Sequence, residues 1–288
     1  MSFVPGSDGG PAWLRLTRIV DRLYAAFCAA RDEVALARIP VATWTDLVRR
    51  RYAQQVRFYR DPVYRATRFF AWEQSAIEEL FPRPPARLLV GAAGAGREMV
   101  ALAERGYEVA GFEPALALFE ALRDHLAEAG ISALVAPASY EDLVAILDGG
   151  GEMTVHESLR ALCQGGSYDG VVLGFGSFSY VVEENVRVRL LRGVATLCPE
   201  GPVLLSFEQH EDGTGRLARW RRRLRGLLTR VPGSRLLLPG DRLGDLGFEH
   251  AFTVAEIESL ARQSGYRVAR AESEPYPHAV LARATARS

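Results

Sequence analysis

One stretch, Arg87–Pro114, constrains the fold of this chain more than any other. An apolar run (Leu88–Val90) enters a Gly/Ala loop (Gly91–Gly96), an amphipathic segment follows, and a second apolar run (Tyr107–Phe112) ends on Glu113. This reads as strand, loop, helix and strand, with an acid about twenty residues past the glycines, the layout that nucleotide-like cofactors require. Small residues let backbone approach a ligand, and the N–H groups at the helix start are donors without partners in the chain. A carboxylate at the end of the second strand can accept both hydroxyls of a ribose. The combination points to adenosine binding.

The 288 residues suffice for one large domain or a domain with an appendage. With 35 basic and 35 acidic residues the net charge is zero, so no global field favours nucleic acid or a membrane surface. Every basic residue is arginine. Without lysine there is no Schiff-base chemistry and no phosphate loop of the Gly-Lys-Ser/Thr kind. Cys28, Cys163 and Cys198 are widely separated and form no metal-ligand or disulfide pattern, and no metal is expected. No apolar run reaches about 18 residues and no basic leader precedes an apolar core, so the expectation is a cytoplasmic protein without membrane attachment.

From Pro11 to Phe81 the pattern is helical. Leu16, Ile19, Val20, Leu23, Tyr24 and Phe27 draw one stripe down a first helix that Pro40 ends, and Thr43 begins a second. Asp61-Pro62 opens a third, running to about Leu80. Pro82, Pro84 and Pro85 stop it. The chain then alternates strands at 87–90, 107–112, 132–136, 170–174, 202–207, 266–271 and 278–283 with helices near 95–105, 115–129, 140–148, 155–163, 184–197 and 254–264. Alternation makes the first five strands parallel. Only Glu272–Pro277 separates the last two, a link that forbids a parallel crossover and makes them antiparallel. The fold class is therefore α/β: a Rossmann-like seven-stranded sheet, mostly parallel with an antiparallel last strand, behind an N-terminal helical extension. The expected organisation is a helical extension or lid over 1–81 and a cofactor-binding domain over 86–288 carrying an insertion at 208–252. Within the insertion, Arg216–Arg230 sets Leu217, Trp220, Leu224, Leu227 and Leu228 on one face, to pack, and seven arginines around the rest, to be solvated.

From about Ala86 to Ala284 the chain resembles the class I S-adenosylmethionine-dependent methyltransferases. Leu88–Gly96 is similar to that family's first motif, Gly111-Phe112-Glu113-Pro114 to its acidic second motif, and Tyr168–Gly174 to its fourth strand. Leu197-Cys198-Pro199-Glu200-Gly201-Pro202 resembles its turn into strand five. The resemblance implies S-adenosyl-L-methionine as cofactor and methyl transfer to the oxygen, nitrogen or sulfur of a small-molecule substrate; the neutral charge and the lack of an Asn/Asp-Pro-Pro-Tyr/Phe motif in strand four argue against a nucleic-acid partner. Two positions depart from the pattern. Val90 stands where the family usually has an acid, and Ala92 where it has the first glycine, which implies weakened rather than abolished cofactor binding.

Gly91, Ala92, Gly94, Gly96, Glu113 and Pro114 are the cofactor residues this implies, with Gly94 and Gly96 also open to a plain tight-turn role and Glu113 to that of a solvated helix-start acid. Ser139 and Tyr140 follow the third strand, where the adenine lies in this fold. Tyr140 packing the ring is one reading, and a helix cap at Ser139 followed by acids is the other. Gly174, Phe175 and Gly176, at the end of strand four, are read as the wall of the methyl-donor site or as a loop anchored by buried aromatics. His210, just past strand five, is the first choice of general base, with Tyr180 beside it as a catalytic candidate. Tyr59, Tyr64, Trp72, Phe178, His210 and His250 are the expected substrate-side residues. Two readings from other classes stay open: a nicotinamide-dependent oxidoreductase, and a methyltransferase-like partner subunit without activity, for which Val90 and Ala92 are the hints.

Overall fold

A computed structural model describes residues 12–149, 157–210 and 215–284. The elements in chain order are α1 (Ala12–Arg38), α2 (Val41–Gln54), α3 (Val56–Tyr59), α4 (Pro62–Ala66), α5 (Ala71–Leu80), β1 (Arg87–Gly91), α6 (Arg97–Glu104), β2 (Glu108–Phe112), α7 (Leu116–Glu128) and β3 (Leu134–Ala136). There follow α8 (Tyr140–Leu147), α9 (Glu157–Gln164), β4 (Gly170–Leu173), a 3-10 turn (Ser177–Tyr180), α10 (Glu184–Leu197), β5 (Val203–Ser206), α11 (Arg216–Leu228), β6 (Asp241–Gly244), β7 (Gly247–His250), α12 (Val254–Gln263), β8 (Tyr266–Glu272) and β9 (His278–Arg283).

Seven strands form one sheet in the order β3-β2-β1-β4-β5-β9-β8. Pairing is parallel from β3 through β5, and β9 runs antiparallel to both neighbours. The expected architecture holds, with β9 as the reversed strand. Helices cover both faces, which is why the central strands are continuous apolar runs. Alternation still sorts their side chains. Leu88, Val90, Val172 and Leu204 pack on one side with Met99 and Leu102 of α6, and Leu89, Val171, Leu173 and Leu205 on the other with Leu143 and Leu191. Two differences from expectation are local. The third helix is two pieces, because Arg68 takes a left-handed φ of 58° between α4 and α5. The Asp61 cap does form, its Oδ1 accepting from Val63 and Tyr64 N–H at 2.8 and 3.3 Å. The hairpin β6–β7 inside the insertion lacks the alternating pattern by which strands are recognised, and went unseen.

The chain divides into two compact units. One comprises residues 41–211 and 243–288, with the large sheet and helices α2 to α5. The other comprises residues 1–40 and 212–242, in which α1 packs on α11. Its anchor is Glu33, fully buried, which accepts from Arg221 Nε at 2.6 Å and from Arg225 Nε and Nη2 at 2.6 and 2.9 Å. Arg225 also donates to the carbonyls of Pro239 and Asp241. The expectation for this helix holds in part: Arg219, Arg222, Arg223 and Arg230 are exposed and Leu224 and Leu228 half-buried, but Arg221 and Arg225 turn inward. A buried carboxylate demands paired donors, so arginines turn inward while Leu227 is exposed. The expected stripe on α1 also stays largely in solvent: Leu16, Ile19, Val20, Leu23, Tyr24 and Phe27 are all exposed. No described helix is long and apolar enough to cross a membrane.

Candidate functional site

The carboxyl ends of β1, β2 and β4 converge on a cavity in the larger unit, enclosing about 1130 Å³ of empty space with its open mouth included. Its floor is the loop after β1. Ala92 has φ 51° and Gly94 φ 54°, a left-handed backbone that costs a side-chain-bearing residue about 1–2 kcal/mol. Ala92 therefore occupies a conformation that favours glycine, the residue the family pattern has there. Close approach explains a second glycine: a Cβ on Gly174 would lie 2.3 Å from the Ala92 carbonyl oxygen.

Glu113 organises the floor. Its backbone N–H donates to Ala136 O at 3.0 Å, which ties the end of β2 to the end of β3. Its Oε2 accepts from Gly94 N–H and its Oε1 from Ala115 N–H, both at 2.8 Å. The side chain is only 4% exposed yet lines the cavity. Burial pushes its carboxyl up to about 7, against the pull of the two amides. Each carboxylate oxygen has a lone pair beyond the one already used, so the group can still accept hydroxyls from a ligand.

Beyond β3, Ser139 caps α8 by a reciprocal box with Asp142. Tyr140 is buried edge-on against Phe112, ring centroids 5.7 Å apart, and its hydroxyl meets Ser177 Oγ at 2.6 Å. The helix-cap reading is realised, and Ser139, Tyr140 and Asp142 also line the cavity.

The opposite wall is aromatic. Tyr52 packs edge-on against Tyr180 at 5.4 Å, Tyr59 lies 6.4 Å from Tyr52 and 5.4 Å from Tyr64, and the Tyr59 ring is 3.4 Å from where a Gly94 Cβ would sit. Beneath it, Arg97 forks onto both oxygens of Glu73 at 2.7 Å and onto Glu98 Oε1 at 2.6 Å, while its guanidinium stacks 4.3 Å over Phe70. Burial raises Glu73 to about 7. Arg97 and Glu98 face the cavity, and the cluster holds two carboxylates for one guanidinium.

Of the sequence-derived residues, the cavity gathers Ala92, Gly94, Glu113, Pro114, Ser139, Tyr140, Phe175, Tyr59, Tyr64 and Tyr180. Gly91, Gly96, Gly174 and Gly176 shape the loops without lining it. Trp72, Phe178, His210 and His250 do not reach it either. Trp72 stacks on Tyr276 and His278, and Phe178 on Phe252. His210 and His250 instead lie 3.9 and 3.8 Å from opposite oxygens of Glu256 on α12. A position just past β5 suggested His210 as base, but the pairing Gln209–Phe252 holds that segment against the chain leading into α12. Sequence reasoning missed Thr45, Val48, Arg49, Tyr52 and Glu98. Glu98 was legible in principle, one turn from the loop at the start of α6; the α2 residues carry no motif.

No protein-family model and no curated protein matches the sequence. Solved structures do match. The 1,6-didemethyltoxoflavin-N1-methyltransferase of Burkholderia thailandensis, solved with 1,6-didemethyltoxoflavin and S-adenosylhomocysteine, is 15% identical, with TM-score 0.55 over 86% of this chain and 92% of its own. This chain has the class I S-adenosylmethionine-dependent methyltransferase fold. Two further structures share it. A putative O-methyltransferase of Nostoc punctiforme is 18% identical, with TM-score 0.51 over 81% of this chain and 60% of its own. The CcbJ methyltransferase of Streptomyces caelestis is 14% identical, with TM-score 0.50 over 74% and 88%. The strand order with its reversed β9 is the feature common to this methyltransferase fold and the site built on it.

Proposed function

We propose that the protein is an S-adenosylmethionine-dependent methyltransferase acting on a small molecule. The observation that carries this is Glu113, a buried carboxylate that faces a cavity at the end of β2 and is bonded to the glycine loop. The cavity fits the cofactor. Glu113 takes the ribose hydroxyls. Ser139, Tyr140 and Asp142 surround the adenine. Gly94 and the start of α6 take the methionine part, and Glu98 supplies there the negative charge that the apolar Val90 lacks. S-adenosylmethionine contributes a methyl group on a sulfonium, open to in-line attack.

The chain contributes alignment and exclusion of water. The faces of Tyr52 and Tyr59 favour a cationic centre beside them. Residues 41–66 act as the cover, since Thr45, Val48, Arg49, Tyr52, Tyr59 and Tyr64 line the cavity from that side. The methyl acceptor packs against Val48, Tyr52, Tyr180 and Val181, an apolar wall suited to a compact substrate rather than a polymer. Burial beside Tyr180 raises Tyr52 well above the usual phenol range, so Tyr52 stays protonated and serves as a hydrogen-bond partner. Among the described residues no histidine lines the cavity.

A thermal-shift panel tests the reading. S-adenosylmethionine and S-adenosylhomocysteine at 100 times their Kd stabilise the protein by about 2.7 kcal/mol, while NAD and NADP leave the melting temperature unchanged. A shift with the nicotinamide nucleotides alone would contradict it.

A further inference from the structure

The apolar stripe on α1 is more regular than amphipathicity requires. Trp13, Leu16, Val20, Leu23, Phe27, Ala30 and Val34 follow one another by alternating steps of three and four, the spacing of about 3.5 residues that one helix presents to another. Thr17, Ile19, Tyr24 and Ala26, which flank this seam, are uncharged. Arg18, Asp21 and Arg22 of the same turns fall on the opposite face. In the last turns of α1 its packing on α11 is centred on Glu33. Earlier in the helix the seam faces solvent, with Trp13 64%, Leu23 66% and Phe27 66% exposed.

That exposure is too large for an isolated chain. Eight large apolar residues of α1, namely the seam's six and Ile19 and Tyr24, are between 45% and 69% exposed. At roughly 100 Å² each they offer about 800 Å², well above the few hundred Å² a monomer ordinarily shows. About 800 Å² is also what each partner contributes to a stable interface of standard size.

We infer that α1 is a homodimerisation helix, whose seam is covered by the same seam of a second copy. A two-fold contact needs one self-complementary patch, and from Trp13 to Phe27 the seam and its flanks are uncharged, so that stretch meets its own image without like-charge repulsion; Arg31, further along, flanks the seam paired with Asp32. A strict alternation of threes and fours suits a partner helix, whereas a lipid surface asks only for an apolar side and a charged one. Ala30 within the seam and Ala26 beside it allow close approach of the two axes.

Sedimentation velocity of the full chain tests this. We expect a dimer at micromolar concentration that dissociates on dilution. The double variant Leu23→Glu, Phe27→Glu should weaken association at least tenfold with an unchanged circular dichroism spectrum, and Arg18→Glu on the opposite face should leave the dimer intact. Hydrogen exchange on the wild type needs no variant, and amides 13–27 should gain protection as concentration rises. A wild-type monomer at about 50 μM, equal dissociation of the Arg18 variant, or monomers that co-float with phosphatidylglycerol vesicles would overturn the inference, the last by assigning the seam to a lipid surface.

Discussion

The two walls of the cavity are built by different physics. The floor, from Ala92 to Gly94 and from Glu113 to Ala115, is backbone held in fixed conformations by short hydrogen bonds to one carboxylate. The facing wall of Tyr52, Tyr59, Tyr64 and Tyr180 is held by ring packing between helices and a 3-10 turn. Backbone recognition is intolerant, because an added side-chain atom removes space or forces a strained φ. Aromatic packing is adaptable, because a changed ring alters contact area by degrees. Substitutions in the floor should therefore act on cofactor binding in large steps, and substitutions in the wall on the methyl acceptor in small ones.

The largest expected effect is Gly94→Val. Its φ of 54° and the Tyr59 ring 3.4 Å from the new Cβ leave no unstrained place for a branched side chain. S-adenosylhomocysteine binding should fall more than 100-fold, about 2.7 kcal/mol, while the melting temperature of the free protein drops only by the strain of one residue. An unchanged Kd would show that the floor is not where the ligand sits.

Next comes Glu98→Gln. It should weaken S-adenosylhomocysteine about tenfold, near 1.4 kcal/mol, and leave 5′-methylthioadenosine, which lacks the amino-acid part, unaffected. Equal weakening of both ligands would move Glu98 from ligand recognition to support of Arg97.

A smaller effect follows from protonation. Burial raises Glu113 to about 7, and its ionised form is the better acceptor for ribose. Affinity for S-adenosylhomocysteine should rise from pH 6 through 7 and level off by 8, within about a factor of ten. Because the folded-state value is raised, the contribution of this group to the stability of the free protein is full below the ordinary glutamate range of about 4.3 and is lost as pH rises through about 7. Glu113→Gln should flatten both profiles. A wild-type affinity independent of pH would mean that Glu113 does not titrate at the ligand.

The smallest is Ala92→Gly. Relief of left-handed strain, offset by the freedom glycine gains in the unfolded chain, should stabilise the protein by up to about 1 kcal/mol in a denaturant melt. Destabilisation would mean that the Ala92 methyl contributes more by packing than its backbone costs.

The same contrast decides what was readable beforehand. The seven strands, the reversed last strand and the loop after β1 followed from local rules: apolar runs, turn residues and an acid at a set distance. Glu113 and Tyr140 both line the cavity. His210 did not, because its direction is set by the pairing of Gln209 with Phe252, 43 positions on. Tyr52 and Val48 were invisible as site residues, since at helical spacing a residue facing a cavity looks like one facing the core. The α1 stripe was visible as a pattern, but a pattern says that a face is covered and not by what.

The central claim is that Glu113 makes this cavity an S-adenosylmethionine site, and calorimetric titration of S-adenosylhomocysteine into wild type and Glu113→Ala at pH 8 tests it most directly. Wild type should bind with one-to-one stoichiometry and show no heat with NAD, and the variant should lose about 1.5–3 kcal/mol, the scale of hydrogen bonds to a charged group. Tight binding of NAD to wild type with no response to S-adenosylhomocysteine, or identical affinities in wild type and variant, would contradict it.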